Sequence, residues 1–142
     1  MINFLPLLRE LARSYQALES FSAVHIRQFG LTPPQFDLIA TLGNQPPMTC
    51  RELGEKTLIT KGTLTGVLDR LEDKGLVVRC VNADDARSQR VSLTRAGSDL
   101  FNQAFPSHVQ YLSGAFGQLS KTEIDQLTQS LKQLREAIQR TI

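Results

Sequence analysis

The strongest chemical signal in this sequence is a set of arginines. Arg79, Arg87, Arg90 and Arg95 share one short stretch with only two acids, Asp84 and Asp85. Guanidinium groups collected in this way offer rigid forks of donors to phosphate or carboxylate oxygens. A second signal precedes them, where Thr60, Lys61, Gly62, Thr63, Thr65 and Gly66 bring hydroxyls, an ammonium and two glycines together. Hydroxyls hydrogen-bond phosphates or base edges, and glycine lets the backbone come close to them. Arg70 can reach a phosphate or a guanine, and it can equally pair with Asp69, Glu72 or Asp73 on the surrounding turn. Groups that would signal catalysis are scarce. Neither His25 nor His108 has a motif around it that supplies a nucleophile or a metal partner, and no glycine-rich phosphate loop occurs. The paired acids Asp84 and Asp85 fall on a polar segment that cannot exclude water. An enzyme is therefore not expected, nor any cofactor or metal. Cys50 and Cys80 lack Cys-x-x-Cys spacing, which argues against a disulfide framework or a zinc site. Both positions suit a small buried hydrophobe, which favours a structural role over a redox-sensing one.

The elements that must position these residues are announced by their caps. Thr32, followed by Pro33 and then Gln35, reads as a capping box that opens a helix running to about Leu42. Thr49 with Glu52 repeats the signature ahead of a short helix that ends near Lys56 and turns Leu53 inward. Thr60 caps the next helix, in which Leu64, Val67, Leu68 and Leu71 follow i, i+3, i+4, i+7 spacing and Gly75 supplies the terminator. The turn Thr57-Leu58-Ile59 is short enough to set the two helices at a steep angle. The period then changes. Leu76 to Val81 is rich in β-branched residues, Asn82 to Gln89 is polar, and Val91-Ser92-Leu93 alternates, which predicts a hairpin with a long polar tip. Thr94 caps a further helix through Leu100, Phe101, Ala104 and Phe105, which Pro106 is expected to kink or restart. Ser120 with Glu123 opens the last helix, where Ile124, Leu127, Leu131, Leu134 and Ile138 alternate steps of three and four. The first thirty residues also read as helix, with Leu5, Leu8, Ala12, Tyr15 and Leu18 on one side and Gly30 at the end.

Helix, short helix, tight turn, capped helix and hairpin is the order of a winged helix-turn-helix. On the Thr60 helix the apolar stripe faces the core, leaving Lys61, Thr63, Thr65 and Gly66 toward the outer, amino-terminal side. At this point the residues resemble the MarR-type transcription regulators over essentially the whole chain. The matching stretches are Leu31-Thr32-Pro33 with Gln35-Phe36, then Thr63-Leu64-Thr65, then Leu68 through Val77. The most specific is Asp85-Ala86-Arg87 leading into Val91-Ser92-Leu93-Thr94-Arg95-Ala96-Gly97, which is similar to that family's DxRxxxVxLTxxG signature. The resemblance implies a dimer, one recognition helix per subunit in successive major grooves, and Arg87 of the wing in the adjacent minor groove. It also implies that Asp85 orients wing arginines. The sequence departs from the pattern at Asp84-Asp85, where many members carry a proline and another arginine beside the aspartate. The family's peroxide-sensing branch uses a cysteine in the first helix, and no cysteine precedes Cys50. Members often hold a small aromatic or phenolic anion between the dimer helices and the DNA-reading lobes. By their place in the pattern, Tyr15, His25, Arg27 and Phe36 are the candidate lining residues; for His25 and Arg27 the alternative, simple surface cover, is the reading favoured.

The fold class expected is mainly α, a winged helix-turn-helix with a small β-hairpin wing and long terminal dimerisation helices. A chain of 142 residues with 41% apolar content suits a single unit. Within it, residues 31–100 form the DNA-binding lobe, and 1–30 with 107–142 are the dimerisation helices, their apolar contacts coming from Leu5, Leu8, Ile124, Leu127, Leu131, Leu134 and Ile138. A net charge of +2 and a pI near 8.7 permit a polyanionic partner without requiring one. No apolar run is long enough to span a bilayer, and the amino terminus lacks a signal-peptide pattern, so a cytoplasmic location without membrane contact is expected. The function read from these features is repression from a pseudo-palindromic operator in double-stranded DNA by a homodimer, with release by a small aromatic or phenolic anion. Two rivals remain: a winged helix that binds only other proteins, and a thiol-based redox regulator using Cys50 or Cys80.

Overall fold

A computed structural model describes residues 1–82 and 85–142, with side chains described for 1–81 and 88–142. The elements run α1 (Leu5–Arg27), α2 (Pro33–Leu42), β1 (Met48–Thr49), α3 (Cys50–Lys56), α4 (Lys61–Asp73), β2 (Val77–Asn82), β3 (Asp85–Leu93), α5 (Arg95–Phe116) and α6 (Lys121–Thr141). The chain divides into two compact units, Met1–His108 and Val109–Ile142. The fold is the mainly helical winged helix-turn-helix that the caps and the change of period announce.

Local chemistry accounts for the boundaries. Thr32 Oγ1 accepts from the Gln35 backbone N–H while Gln35 Oε1 accepts from the Thr32 N–H, so two otherwise orphaned donors are satisfied where α2 begins. Ser120 and Glu123 do the same for α6. Gly30 and Gly75 both take positive φ, of 71° and 74°, where α1 and α4 end. Thr94 links the wing to α5: its hydroxyl donates to the Gly75 carbonyl at 2.6 Å and accepts from the Gly97 N–H at 3.1 Å. Gly97 itself lies against the Leu76 carbonyl, where any Cβ would collide with backbone. The last residues of the Val91–Gly97 motif are thus set by packing at the base of the wing.

In the first unit the core is built from Leu38 and Ile39 of α2, Leu53 of α3, Leu68 and Leu71 of α4, and Val91 of β3, all essentially inaccessible. Phe101 and Ala104 of α5 close it. Full burial of each such aliphatic side chain contributes about 1.5–3 kcal/mol before conformational entropy is subtracted. The sheet is antiparallel in the order β1-β3-β2, with Met48 opposite Val91 and Val77 opposite Leu93.

Four expectations need correction. The hairpin's polar tip is shorter than the run Asn82 to Gln89, because pairing continues outward to Val81 opposite Gln89 before the register shifts. Backbone pairing there does not need apolar side chains. Of the two outcomes expected at Pro106, a kink or a restart, the restart does not occur, since α5 is continuous through it. A proline removes one N–H, and the residue whose carbonyl would have received it, Asn102, is exposed, while Phe101, Ala104 and His108 are buried on either side. Cys50 and Cys80 are both exposed instead of buried. Only Leu53 of α3 turns inward, and Cys80 shares a strand face with exposed Val78 where the wing leaves the body. His25 is buried at 8% exposure instead of covering the surface, because His108 packs against it. Among the described residues, no helix is long and apolar enough to cross a membrane.

Candidate nucleic-acid interface

The surface expected to meet DNA is shaped by the way α4 is held. Leu64, Val67, Leu68 and Leu71 sink into the core, and Lys61, Gly62, Thr63, Thr65, Gly66 and Arg70 are all exposed. Nothing lies within 4 Å of a Cβ added at Gly62 or Gly66. The protein itself therefore gains no room from having glycine at these two helical positions, each of which costs about 0.8–1 kcal/mol relative to alanine. Thr60 stands at the N-cap position, but its hydroxyl does not cap a backbone donor as expected. It lies 3.0 Å from Thr63 Oγ1 instead, a side chain one turn on that competes for the same hydroxyl. The first turn of α4 thus keeps amide donors available to an anion.

The wing's basic charge is distributed differently from its sequence. Arg79, counted among its cations, is held at the base of the hairpin: Nη2 lies 2.5 Å from Asp69 Oδ1, and Nε 3.7 Å from Glu72 Oε2. Two acids of α4 are therefore occupied by the wing. Among the described residues Arg70 has no ion pair, so of the two partners considered for it the intrahelical acids are not the one adopted. Arg90 is half-buried in β3, in register between Thr49 and Cys80, and Arg95 is exposed at the start of α5. The roles expected of Asp85 and Arg87 fall on side chains outside the described residues.

The candidate ligand residues separate into two groups. His25 and Phe36 are buried and meet through His108, whereas Tyr15 and Arg27 are exposed on α1. His25 Nδ1 and His108 Nδ1 lie 2.9 Å apart, Ser22 Oγ is 2.9 Å from His108 Nε2, and Ser107 Oγ is 3.4 Å from His25 Nε2. Phe36 meets the His108 ring edge-on at 4.7 Å between centroids. The N-to-N contact requires one imidazole to donate and the other to accept, so two protonated rings do not fit it. Burial pushes His108 below its ordinary value, and the charge of His25 pushes it further. Sequence reasoning missed His108, Ser22 and Ser107, since a pairing 83 residues apart leaves no local pattern. Among the described residues, no cluster of His, Cys, Asp and Glu could hold a metal ion.

These features have clear counterparts. Residues 29–88, which contain α2, α3, α4 and β2, match the model of the MarR family. The chain is 30% identical over 124 residues to the HTH-type transcriptional regulator MhqR of Bacillus subtilis, an alignment covering 87% of this chain and 86% of that protein. The chain belongs to the MarR family. A second relative, the homoprotocatechuate degradative operon repressor of Escherichia coli, is 28% identical over 123 residues, covering 87% of this chain and 83% of the other. Among solved structures, a mutant of Escherichia coli MarR complexed with operator DNA superposes with a TM-score of 0.84 at 25% identity, covering 94% of this chain and 99% of that one. The coarse function follows from membership: a DNA-binding transcriptional regulator of the MarR family.

Proposed function

We propose that this protein is a repressor that binds a pseudo-palindromic operator as a homodimer and is released by a small aromatic or phenolic anion. One observation carries the reading: the outer face of α4, from Thr60 to Arg70, is left uncovered and small, its charges being Lys61, Arg70 and Asp69, the last already paired with Arg79. Such a face can lie in a major groove with Thr63 and Thr65 at base edges, while the first-turn amides and Arg70 meet phosphates. Arg87 and Arg90 on the wing supply neighbouring backbone contacts, with Asp85 orienting them. The exposed apolar stripes on α1, with Leu5 and Leu8, and on α6, with Ile124, Leu127, Leu131 and Ile138, support pairing of two copies. Two recognition helices then address half-sites ~34–36 Å apart. His25 and Phe36, joined by His108, support an aromatic ligand, as does the likeness to a repressor of an aromatic degradative operon. The ligand acts only if it binds unequally to the DNA-competent and incompetent arrangements.

Selection of bound duplexes from a random pool tests the core of this reading. The recovered sites should show two-fold symmetry, and binding should weaken steeply with salt. Arg87→Ala should lower affinity for every duplex and flatten the salt dependence, whereas changes at Thr63 or Thr65 should alter which sequences are preferred. Calorimetric titration with a panel of aromatic carboxylates, silent at millimolar ligand, would remove the effector from the proposal. Exposure of Cys50 and Cys80 also favours a second reading, oxidative release. In that case the selected duplex should dissociate on peroxide treatment, and Cys50→Ser or Cys80→Ser should abolish the response.

A further inference from the structure

The angle at which α4 leaves α3 is set by the three residues Thr57, Leu58 and Ile59, and each is held by a different device. Thr57 is buried, and both its N–H and its hydroxyl donate to the Leu53 carbonyl, at 2.9 and 2.6 Å, which closes the end of α3. Ile59 is buried in the core. Between them the Leu58 N–H donates to Asp37 Oδ2 at 2.8 Å, a carboxylate carried by α2 and separated by 21 residues of sequence. Asp37 is half-buried, and its own backbone carbonyl accepts from Thr41 Oγ1, so its turn of α2 is tied down as well. With its backbone held, Leu58 points its side chain outward at 84% exposure. A leucine that bare contributes nothing to the core, and it stands two residues before the N-cap of α4.

We propose that Asp37 is a positioning residue that fixes the α3–α4 turn, and that the turn so fixed presents Leu58 as an apolar contact to a thymine methyl or deoxyribose beside the major groove. The charge argument supports this. A carboxylate near a surface meant for phosphates is a liability unless it is already engaged, and here a backbone donor engages it, with α2 shielding one side. Burial lifts Asp37 above the ordinary carboxylate range, and the Leu58 N–H offsets part of that rise. The hydrogen bond thus does for the turn what neither the core nor the helix ends do, which is to hold its middle residue. Apolar contact with a thymine methyl is one of the direct-readout interactions open to a side chain in this place.

The inference rests on α4 being the recognition helix, and the test separates the two. Wild type, Asp37→Ala, Asp37→Asn and Leu58→Ala are titrated against a duplex selected by the wild type and against a scrambled duplex of the same length. Asp37→Ala should lower affinity for the selected duplex about tenfold or more while changing the scrambled duplex by no more than about twofold. Asp37→Asn, whose amide oxygen accepts the same bond, should stay within about threefold of wild type. Leu58→Ala, at an exposed position where folding is not at stake, should also lose selectivity, most at a thymine position of the recovered site. Should Asp37→Ala prove unfolded by circular dichroism, the comparison of Asp37→Asn with Leu58→Ala decides. Unchanged selectivity in folded Asp37→Ala, or in Leu58→Ala, overturns the proposal and leaves the recognition helix standing. A wild type with no sequence preference overturns both.

Discussion

Helix α4 buries Leu64, Val67, Leu68 and Leu71 and leaves Thr63, Thr65, Gly66 and Arg70 to solvent, whereas α6 buries none of its residues and leaves Ile124, Leu127, Leu131 and Ile138 exposed. Both helices are amphipathic, but only the first has its apolar stripe satisfied within the chain. What α4 still offers is polar, small and suited to a polyanion. What α6 still offers is apolar and suited to another apolar helix. The contrast is between a helix whose apolar stripe is covered within the chain and one whose stripe is left bare, the stripe that the proposed pairing of two copies would cover.

The largest test of this contrast charges the open stripe. Leu127→Lys with Leu131→Lys should convert the protein to monomers by sedimentation, and operator affinity should fall by about 10²–10⁴, the avidity lost when two linked contacts become one. A dimer that survives would mean that α6 is not the seam. The closed stripe should respond differently. Leu71→Ala, at a fully buried position, should cost about 2–5 kcal/mol in denaturant unfolding. The penalty should appear whatever the oligomeric state.

A smaller effect sharpens the α4 side. Gly66→Ala should raise helix stability by about 0.8–1 kcal/mol, since alanine is the better helix former and open space surrounds the site. It should at the same time weaken operator binding. A variant gaining stability with no loss of binding would show that close approach at Gly66 is not used. The smallest effect concerns pH. Because His108 is held below its ordinary value of 6.5, the native state binds fewer protons there than the unfolded chain. Its contribution is therefore complete above that value and is lost as pH falls through the lower folded-state value. The denaturation midpoint should drop between about pH 7.5 and about pH 5.5, and His108→Gln should reduce the drop.

Much of this was legible in the sequence because the signals were local. Thr32 with Gln35 and Ser120 with Glu123 are reciprocal caps closed within one turn, so spacing alone reveals them. The 3.6-residue stripe of α4 and the alternation around Val91 are equally short-range. The strand Met48–Thr49 escaped because two residues cannot display a period. His25 with His108, Asp37 with Leu58, and Arg79 with Asp69 escaped for another reason. Each is a polar contact made by tertiary packing, and nothing adjacent in sequence signals it. Exposure of the two cysteines depended on where the wing leaves the body and on which face of a one-contact helix turns inward, which composition does not specify.

The tie from Arg79 to Asp69 and Glu72 joins the base of the wing to the middle of α4. Among the described residues, Arg79 Nε is the one buried side-chain polar atom left without a hydrogen bond, so Nη2 on Asp69 makes the close contact of this tie while Nε meets Glu72 only at ion-pair distance. The base of the hairpin and α4 are therefore physically coupled. In the proposed DNA-bound arrangement, strain on the wing would reach α4 through this tie, and substitutions on the two should combine with losses that do not add.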